Sequence, residues 1–278
     1  VYDQLSVLRV TVTDRVAWVT IDHPPTNLVD GALFGDLVRL LDIAEADDAV
    51  RVLVFESADP DFFLMHGDVE GILRMRQEAT VVTEPGFAPA TLDRLRTFPK
   101  PTIGMIDGQA RGGGSEFLSS LDMRFAGPRT VLGQPEVPMG ILPGASGTQR
   151  LPRMLGRARA LEVILGGGDI TAEDAERWGY VNRLLPSDEL RPFVEKLARR
   201  IASWPPAAVA EAKAAVDAAF GPVAPGLTHE SNAFFRLIAT GDHVGPMQRF
   251  LAAGGQTREG ELQRMDALLD AMGEPPQG

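Results

Sequence analysis

The stretch Pro101-Thr102-Ile103-Gly104-Met105-Ile106, followed by Arg111-Gly112-Gly113-Gly114-Ser115-Glu116-Phe117-Leu118, decides the reading of this chain. The first run is apolar and short enough for a buried strand. Phe117, Leu118 and Leu121 recur at helical spacing, so three glycines stand at a strand-to-helix junction. Glycine lets another group approach the backbone closely. The first amides of a helix lack internal partners and lie at the positive end of its dipole. That equipment suits a negative oxygen, and Glu116 adds a carboxylate beside it. A tight helix entry, with glycines for packing and a dipole-favoured glutamate, uses the same residues.

Upstream, Leu8 to Thr13 and Val16 to Ile21 alternate around Thr13-Asp14-Arg15 and predict a β-hairpin. His23-Pro24-Pro25-Thr26-Asn27 must be a loop. Asp30 is placed to cap a helix to about Asp47, with Leu33, Phe34, Leu37, Leu40 and Leu41 on one face. Val52 to Phe55 predicts a parallel strand, Ser57 to Asp68 a loop, and Asp68 a cap for a helix carrying Ile72, Leu73 and Met75. Pro85 to Pro89 breaks the pattern before a helix from Ala90 to Phe98. Downstream, Asp122 to Ala126 predicts a strand and Leu132 to Arg150 a long loop, the kind that carries function. Helices to Met154 and over Ala158 to Leu165 follow, then one capped by Thr171 and a strand over Val181 to Leu184. Strand and helix alternation indicates an α/β fold with parallel connections. Beyond Ser187 the chain predicts helices over Leu190 to Ile201, Ala207 to Phe220, Thr228 to Thr240 and Arg258 to Met272. The shift suggests a core over 1–200 and a helical region over 201–278.

The chain has 278 residues, 44% hydrophobic, and a formal net charge of −11. That charge argues against a general nucleic-acid surface. With no cysteine there is no disulfide framework, thiol nucleophile or cysteine metal site. Four scattered histidines without metal-ligand spacing predict no metal. No run reaches membrane-spanning length, and no secretory signal is visible, so a cytoplasmic location is expected.

Three motifs in order, Arg111-Gly112-Gly113-Gly114-Ser115-Glu116, Gly133-Gln134-Pro135-Glu136 and Pro143-Gly144-Ala145-Ser146-Gly147-Thr148-Gln149-Arg150, resemble the crotonase superfamily, specifically the enoyl-CoA hydratase/isomerase family. The resemblance covers about residues 8–200. It implies an α/β fold of stacked ββα units, a crotonase-type spiral, with a C-terminal helical region used in trimerisation. It further implies an acyl-CoA substrate, a homotrimer or homohexamer, and no cofactor beyond the coenzyme A of the substrate. Two backbone amides hold the thioester oxygen in the family. The resemblance assigns them to Gly113 and to Met65, because Phe63-Leu64-Met65-His66-Gly67-Asp68 stands in place of the family's Phe-x-Ala-Gly-Ala-Asp. Glu116 and Glu136 match the two catalytic glutamates. Met65, His66, Gly67, Asp68 and Gly113 are therefore the expected substrate-binding residues.

The chain departs from the family at His66, where glycine is usual, and at Met65, where alanine is usual. His66 could orient substrate or move a proton, or fill the loop. Glu136 could equally be an exposed loop carboxylate. Met65, Leu73, Met75, Phe87, Met139 and Leu142 are candidates for an acyl pocket or for core. Three functions are compatible with these residues: hydration of an enoyl-CoA, another crotonase-type reaction such as double-bond isomerisation, and a non-catalytic binding protein. A serine hydrolase built on Ser115 and His66 lacks an orienting carboxylate.

Overall fold

The computed structural model of the chain describes residues 2–73, 85–137, 139, 141–220, 249 and 252. β1 (Leu8–Thr13) and β2 (Val16–Ile21) form the expected hairpin, paired antiparallel from Leu8 with Ile21 to Thr13 with Val16. α1 (Gly31–Ala46) follows, and the Asp30 side chain accepts from the amides of Ala32 and Leu33, as an N-cap does. β3 (Val52–Ser57), β4 (Phe62–Leu64) and α2 (Val69–Leu73) come next, then α3 (Phe87–Arg96), β5 (Thr102–Ile106), β6 (Gln109–Arg111) and α4 (Gly113–Ser119). β7 (Met123–Ala126), β8 (Val131–Gly133), α5 (Gly147–Leu155) and α6 (Arg157–Gly166) precede β9 (Asp169–Thr171), α7 (Ala172–Trp178) and β10 (Arg183–Leu184). α8 (Ser187–Ala202) and α9 (Pro206–Ala218) end the described elements.

Two sheets organise them. One runs β1-β2-β3-β5-β7-β10, parallel apart from the hairpin; the other runs β4-β6-β8-β9, parallel apart from β9. Successive turns of chain place one strand in each sheet: β3 then β4, β5 then β6, β7 then β8. This is the ββα spiral. Side chains of a strand alternate between faces, so Val16 and Trp18 of β2 face α8 while Ala17, Val19 and Ile21 face the larger core. On α8, Leu190, Val194, Ala198 and Ala202 supply the matching stripe at helical spacing.

Three expectations are corrected. Ser57 to Asp68 holds a strand, β4, and the Leu132 to Arg150 loop starts in β8 and ends inside α5. Strands of three residues are too short to show alternation. α3 starts at Phe87, not Ala90, because Pro89 lies in its first turn, where a missing N–H costs nothing. The expected helices over Thr228 to Thr240 and Arg258 to Met272, and Met75, lie outside the described residues.

α9 buries none of its own residues. Lys213 reaches from it to the Arg96 carbonyl and to Asp122, whose other oxygen accepts the Thr102 amide at 2.8 Å. Burial pushes the Asp122 carboxyl up, and the Lys213 charge opposes that shift. The glycine stretch meets the chain leaving β4 at Gly114, whose amide donates to the Met65 carbonyl at 2.9 Å. A Cβ at Gly114 would lie 1.8 Å from the Leu64 oxygen. Gly114→Ala is therefore expected to cost ~4 kcal/mol or more and, at roughly 2–4 °C per kcal/mol, to lower the calorimetric Tm by about 8 °C or more. Gly166→Ala, where nothing lies within 4 Å of the added carbon, should leave Tm unchanged or raised.

Candidate active site

Gly112 precedes α4 with φ +53°, a conformation that favours glycine. Its amide donates to the Gly133 carbonyl at 2.9 Å, which ties the helix entry to β8. A Cβ at Gly112 would meet Glu136 Oε1 at 2.8 Å and the His66 Cβ at 3.0 Å. Gly112, Glu136 and His66 thus crowd around one point. Gly113 opens α4, so its N–H has no intrahelical acceptor.

The backbone bonds decide which second amide faces the site. Met65 N–H donates to the Asn27 carbonyl at 2.7 Å, and the Met65 carbonyl accepts from Gly114. Both Met65 backbone groups are committed, so the amide expected from the resemblance is not free. Gly67 pairs with Val29 in a parallel bridge. There His66 O accepts from Val29 N at 3.1 Å and Asp68 N donates to Val29 O at 3.0 Å. The Gly67 N–H faces the other way, and among the described residues neither it nor the Gly113 N–H meets an acceptor. Val29 links the two, since its side chain would lie 3.2 Å from a Cβ at Gly113.

Asn27, 2% exposed, holds this segment: its Nδ2 donates to Ser57 Oγ and to the Phe62 and Phe63 carbonyls. Sequence reading placed Asn27 in a proline loop and gave it no role. A buried Asn there satisfies several strand-end groups at once, and only the tertiary pairing shows it. His66 is half-buried, its Nδ1 2.9 Å from the Gly67 carbonyl. A carbonyl only accepts, so Nδ1 carries the proton. His66 has no positive φ, so histidine in the glycine position strains nothing. Ser115 Oγ faces Tyr180, not His66. Asp68 folds over α2, its Oδ2 2.7 Å from where a Gly71 Cβ would stand.

Glu116 is 3% exposed and Glu136 6%. The two carboxylates have different settings. Glu116 Oε1 accepts the amides of Ala145 at 2.9 Å and Gly147 at 2.7 Å, with the Ser146 amide adding a third. Ser146 takes φ +126° to bring these amides round, and its Oγ accepts from Arg150 at 2.8 Å. Burial pushes Glu116 up from the ordinary carboxylate range, and the three amides and the Arg150 charge hold it back. Glu136 is pushed up to about 7, first by burial and then by the negative charge of Glu116. The Gln134 amide satisfies its neighbours with Nε2 toward Glu136, 3.2 and 3.0 Å from the two oxygens, and Oε1 toward Ser115 Oγ at 3.2 Å. Glu136 is therefore no exposed loop carboxylate. Burial raises both carboxyls, but amides and Arg150 oppose the rise at Glu116, whereas the Glu116 charge adds to it at Glu136.

Phe87, Met139 and Leu142 are 64%, 46% and 59% exposed, which suits a pocket lining better than core; Met65 is buried. Met75 and the Leu73 side chain lie outside the described set. Among the described residues no cluster of three metal-binding side chains is found, and no helix is long and apolar enough to cross a membrane.

A family model described as enoyl-CoA hydratase/isomerase matches residues 11–254. The chain belongs to the enoyl-CoA hydratase/isomerase family. It is similar to the 2,3-dehydroadipyl-CoA hydratase of Escherichia coli, 33% identical over 249 residues, 89% of this chain and 96% of that one. It is also similar to the mitochondrial enoyl-CoA hydratase of Pongo abelii, 33% identical over 86% of this chain and 81% of that one. Among solved structures, the enoyl-CoA hydratase of Bacillus anthracis superposes with a TM-score of 0.82 at 30% identity, covering 89% of this chain and 96% of that chain. The fold is thus the crotonase fold, and enzymes of this family act on coenzyme A thioesters.

The coupling between the two carboxyls can be measured. In Glu116→Gln the charge that raises Glu136 is gone, so the Glu136 midpoint should fall from about 7 toward the ordinary range. Carboxyl-carbon NMR of selectively labelled protein reads this directly; an unchanged or higher midpoint would refute the coupling.

Proposed function

We propose that this enzyme hydrates a 2-enoyl-CoA thioester. The observation that carries the reading is the pair of buried carboxyls, Glu116 bonded by a ring of amides and Glu136 pushed up to about 7, beside the Gly67 and Gly113 amides. The Gly67 and Gly113 N–H groups receive the thioester oxygen. Preorganised donors at such an oxygen contribute on the order of 2.7–4 kcal/mol each. The oxygen of water then bonds Cβ, and the π pair moves to the thioester oxygen as an enolate. Glu116 takes the proton that water loses, on the carboxyl oxygen not held by Ala145 and Gly147. Glu136 gives its proton to Cα. Exchange with solvent resets both groups. The acyl chain passes Phe87, Met139 and Leu142, and His66 borders it.

The chain assembles as a homotrimer or homohexamer in this reading. Phe234, Leu237 and Ile238, apolar residues of the expected Thr228 to Thr240 helix, lie outside the described residues. Val216 and Phe220 at the end of α9, 66% and 60% exposed, support it. Light scattering at micromolar concentration should give three or six chains; a monomer contradicts it.

Glutamine keeps the shape of glutamate without its acid–base function. Glu116→Gln and Glu136→Gln are each expected to lower hydratase kcat by roughly 10²–10⁴-fold, and the double variant by much less than the product, because both act on one addition. The assay is a panel of enoyl-CoA thioesters with product identification. An isomer carrying solvent deuterium, with no hydrated product, would replace this reading with isomerisation. No thioester turnover at all would favour a binding protein.

A further inference from the structure

Tyr180 is fully buried, and its hydroxyl lies against Ser115 Oγ inside the protein. Nothing in the hydration chemistry requires it. Burial pushes this phenol up to about 12, so it keeps its proton at working pH. We infer that Tyr180 and Ser115 are positioning residues for Glu136, the inner end of a hydrogen-bonded chain in which their hydroxyls stand behind Gln134 and Gln134 stands behind Glu136. The inference rests on the catalytic role of Glu136 proposed above.

The link from Gln134 to Glu136 follows from donor and acceptor inventory. Gln134 satisfies both of its ends only with Nε2 toward Glu136, whose carboxylate form accepts from it. Its Oε1 then faces Ser115 and only accepts. Between them the Ser115 and Tyr180 hydroxyls have two protons, enough for Gln134 Oε1 and for their mutual contact, in which either can be the donor. The Tyr180 hydroxyl also lies against the Gln134 amide, so both hydroxyls converge on one end of it. Ser115 and Gln134 are 0% exposed, so these links lie inside the protein.

The seat of Tyr180 is equally fixed. Arg124 on β7 donates to the Tyr180 carbonyl at 2.8 Å and to the Leu118 and Leu121 carbonyls at 3.1 and 2.7 Å. This binds the residue-180 backbone to the end of α4, the helix that carries Ser115. The charged and titratable groups around the chain are Glu116 from α4, His66 from the loop after β4, and Arg124 from β7. Each donor polarises the next, so the whole chain favours the carboxylate form of Glu136 and fixes the edge it presents to substrate.

Tyr180→Phe removes one hydroxyl and keeps the ring; Ser115→Ala removes the next link and serves if the first variant fails to fold. In either, Glu136 loses support for its ionised form. Its NMR midpoint should rise, by about 0.3–0.7 pH unit for a remote polarising link. In hydration Glu136 acts while protonated, so the alkaline limb of kcat/KM should move up with it, and kcat should fall about tenfold. In a Glu136→Gln background, Tyr180→Phe should cause no further loss of turnover. An unmoved midpoint and an unmoved limb in both variants, or a loss that multiplies onto Glu136→Gln, overturns the inference. A shifted midpoint with full turnover in Glu136→Gln upholds the chain and overturns the hydratase reading instead.

Discussion

The hydrogen bond from Gly114 N–H to the Met65 carbonyl is the contact on which the site depends. It joins the first turn of α4 to the segment that leaves β4, at a distance no side chain at Gly114 could allow. Each neighbour of this bond inherits its position. On one side Gly113 is left with an N–H and no helical acceptor. On the other, Asn27 takes the Met65 amide and Val29 takes both groups flanking Gly67. Among the described residues the Gly67 and Gly113 amides remain unused while those of Met65, Asp68, Gly112 and Gly114 are bonded. The site is thus a remainder in the backbone hydrogen-bond accounting, fixed by pairing and not by the identity of its own residues.

The carboxyls obey the same logic in charged form. Both sit in a protein of net charge −11, and both are buried. Two like charges facing one substrate cannot both ionise at low cost. The loop before α5 gives three amides to Glu116, while Glu136 has only its own backbone group to oppose its rise. Ser146 bears the strain of that loop, at a φ that L-residues rarely adopt. Arg150 answers it by donating to Ser146 Oγ and to the Leu92 carbonyl, which locks the loop against α3. Glu136 is left with the Gln134 amide and what stands behind it.

Much of this was legible in the sequence, for physical reasons. The hairpin, the Asp30 cap and the parallel strands follow from local periodicity and capping, which need no knowledge of the fold. Glu116 and Glu136 stand out in their motifs, and the structure buries both. β4, β6, β8 and β9 were not, because three residues give no period. The error at Met65 has a different source. A motif aligns residue types, but which amide is free depends on partners far along the chain, here Asn27 and Val29. Tyr180 was invisible as a site residue since a lone tyrosine beside valine reads as core, and its hydroxyl meets Ser115 across 65 residues.

The central claim is that the Gly67 and Gly113 amides hold the thioester oxygen. A crystal structure with a bound, unreactive acyl-CoA thioester tests it most directly. The account predicts that oxygen roughly 2.7–3.1 Å from both the Gly67 and Gly113 nitrogens, the range such donors use, with Met65 N–H still on the Asn27 carbonyl. A thioester oxygen seated on the Met65 amide, or on neither glycine, would contradict it.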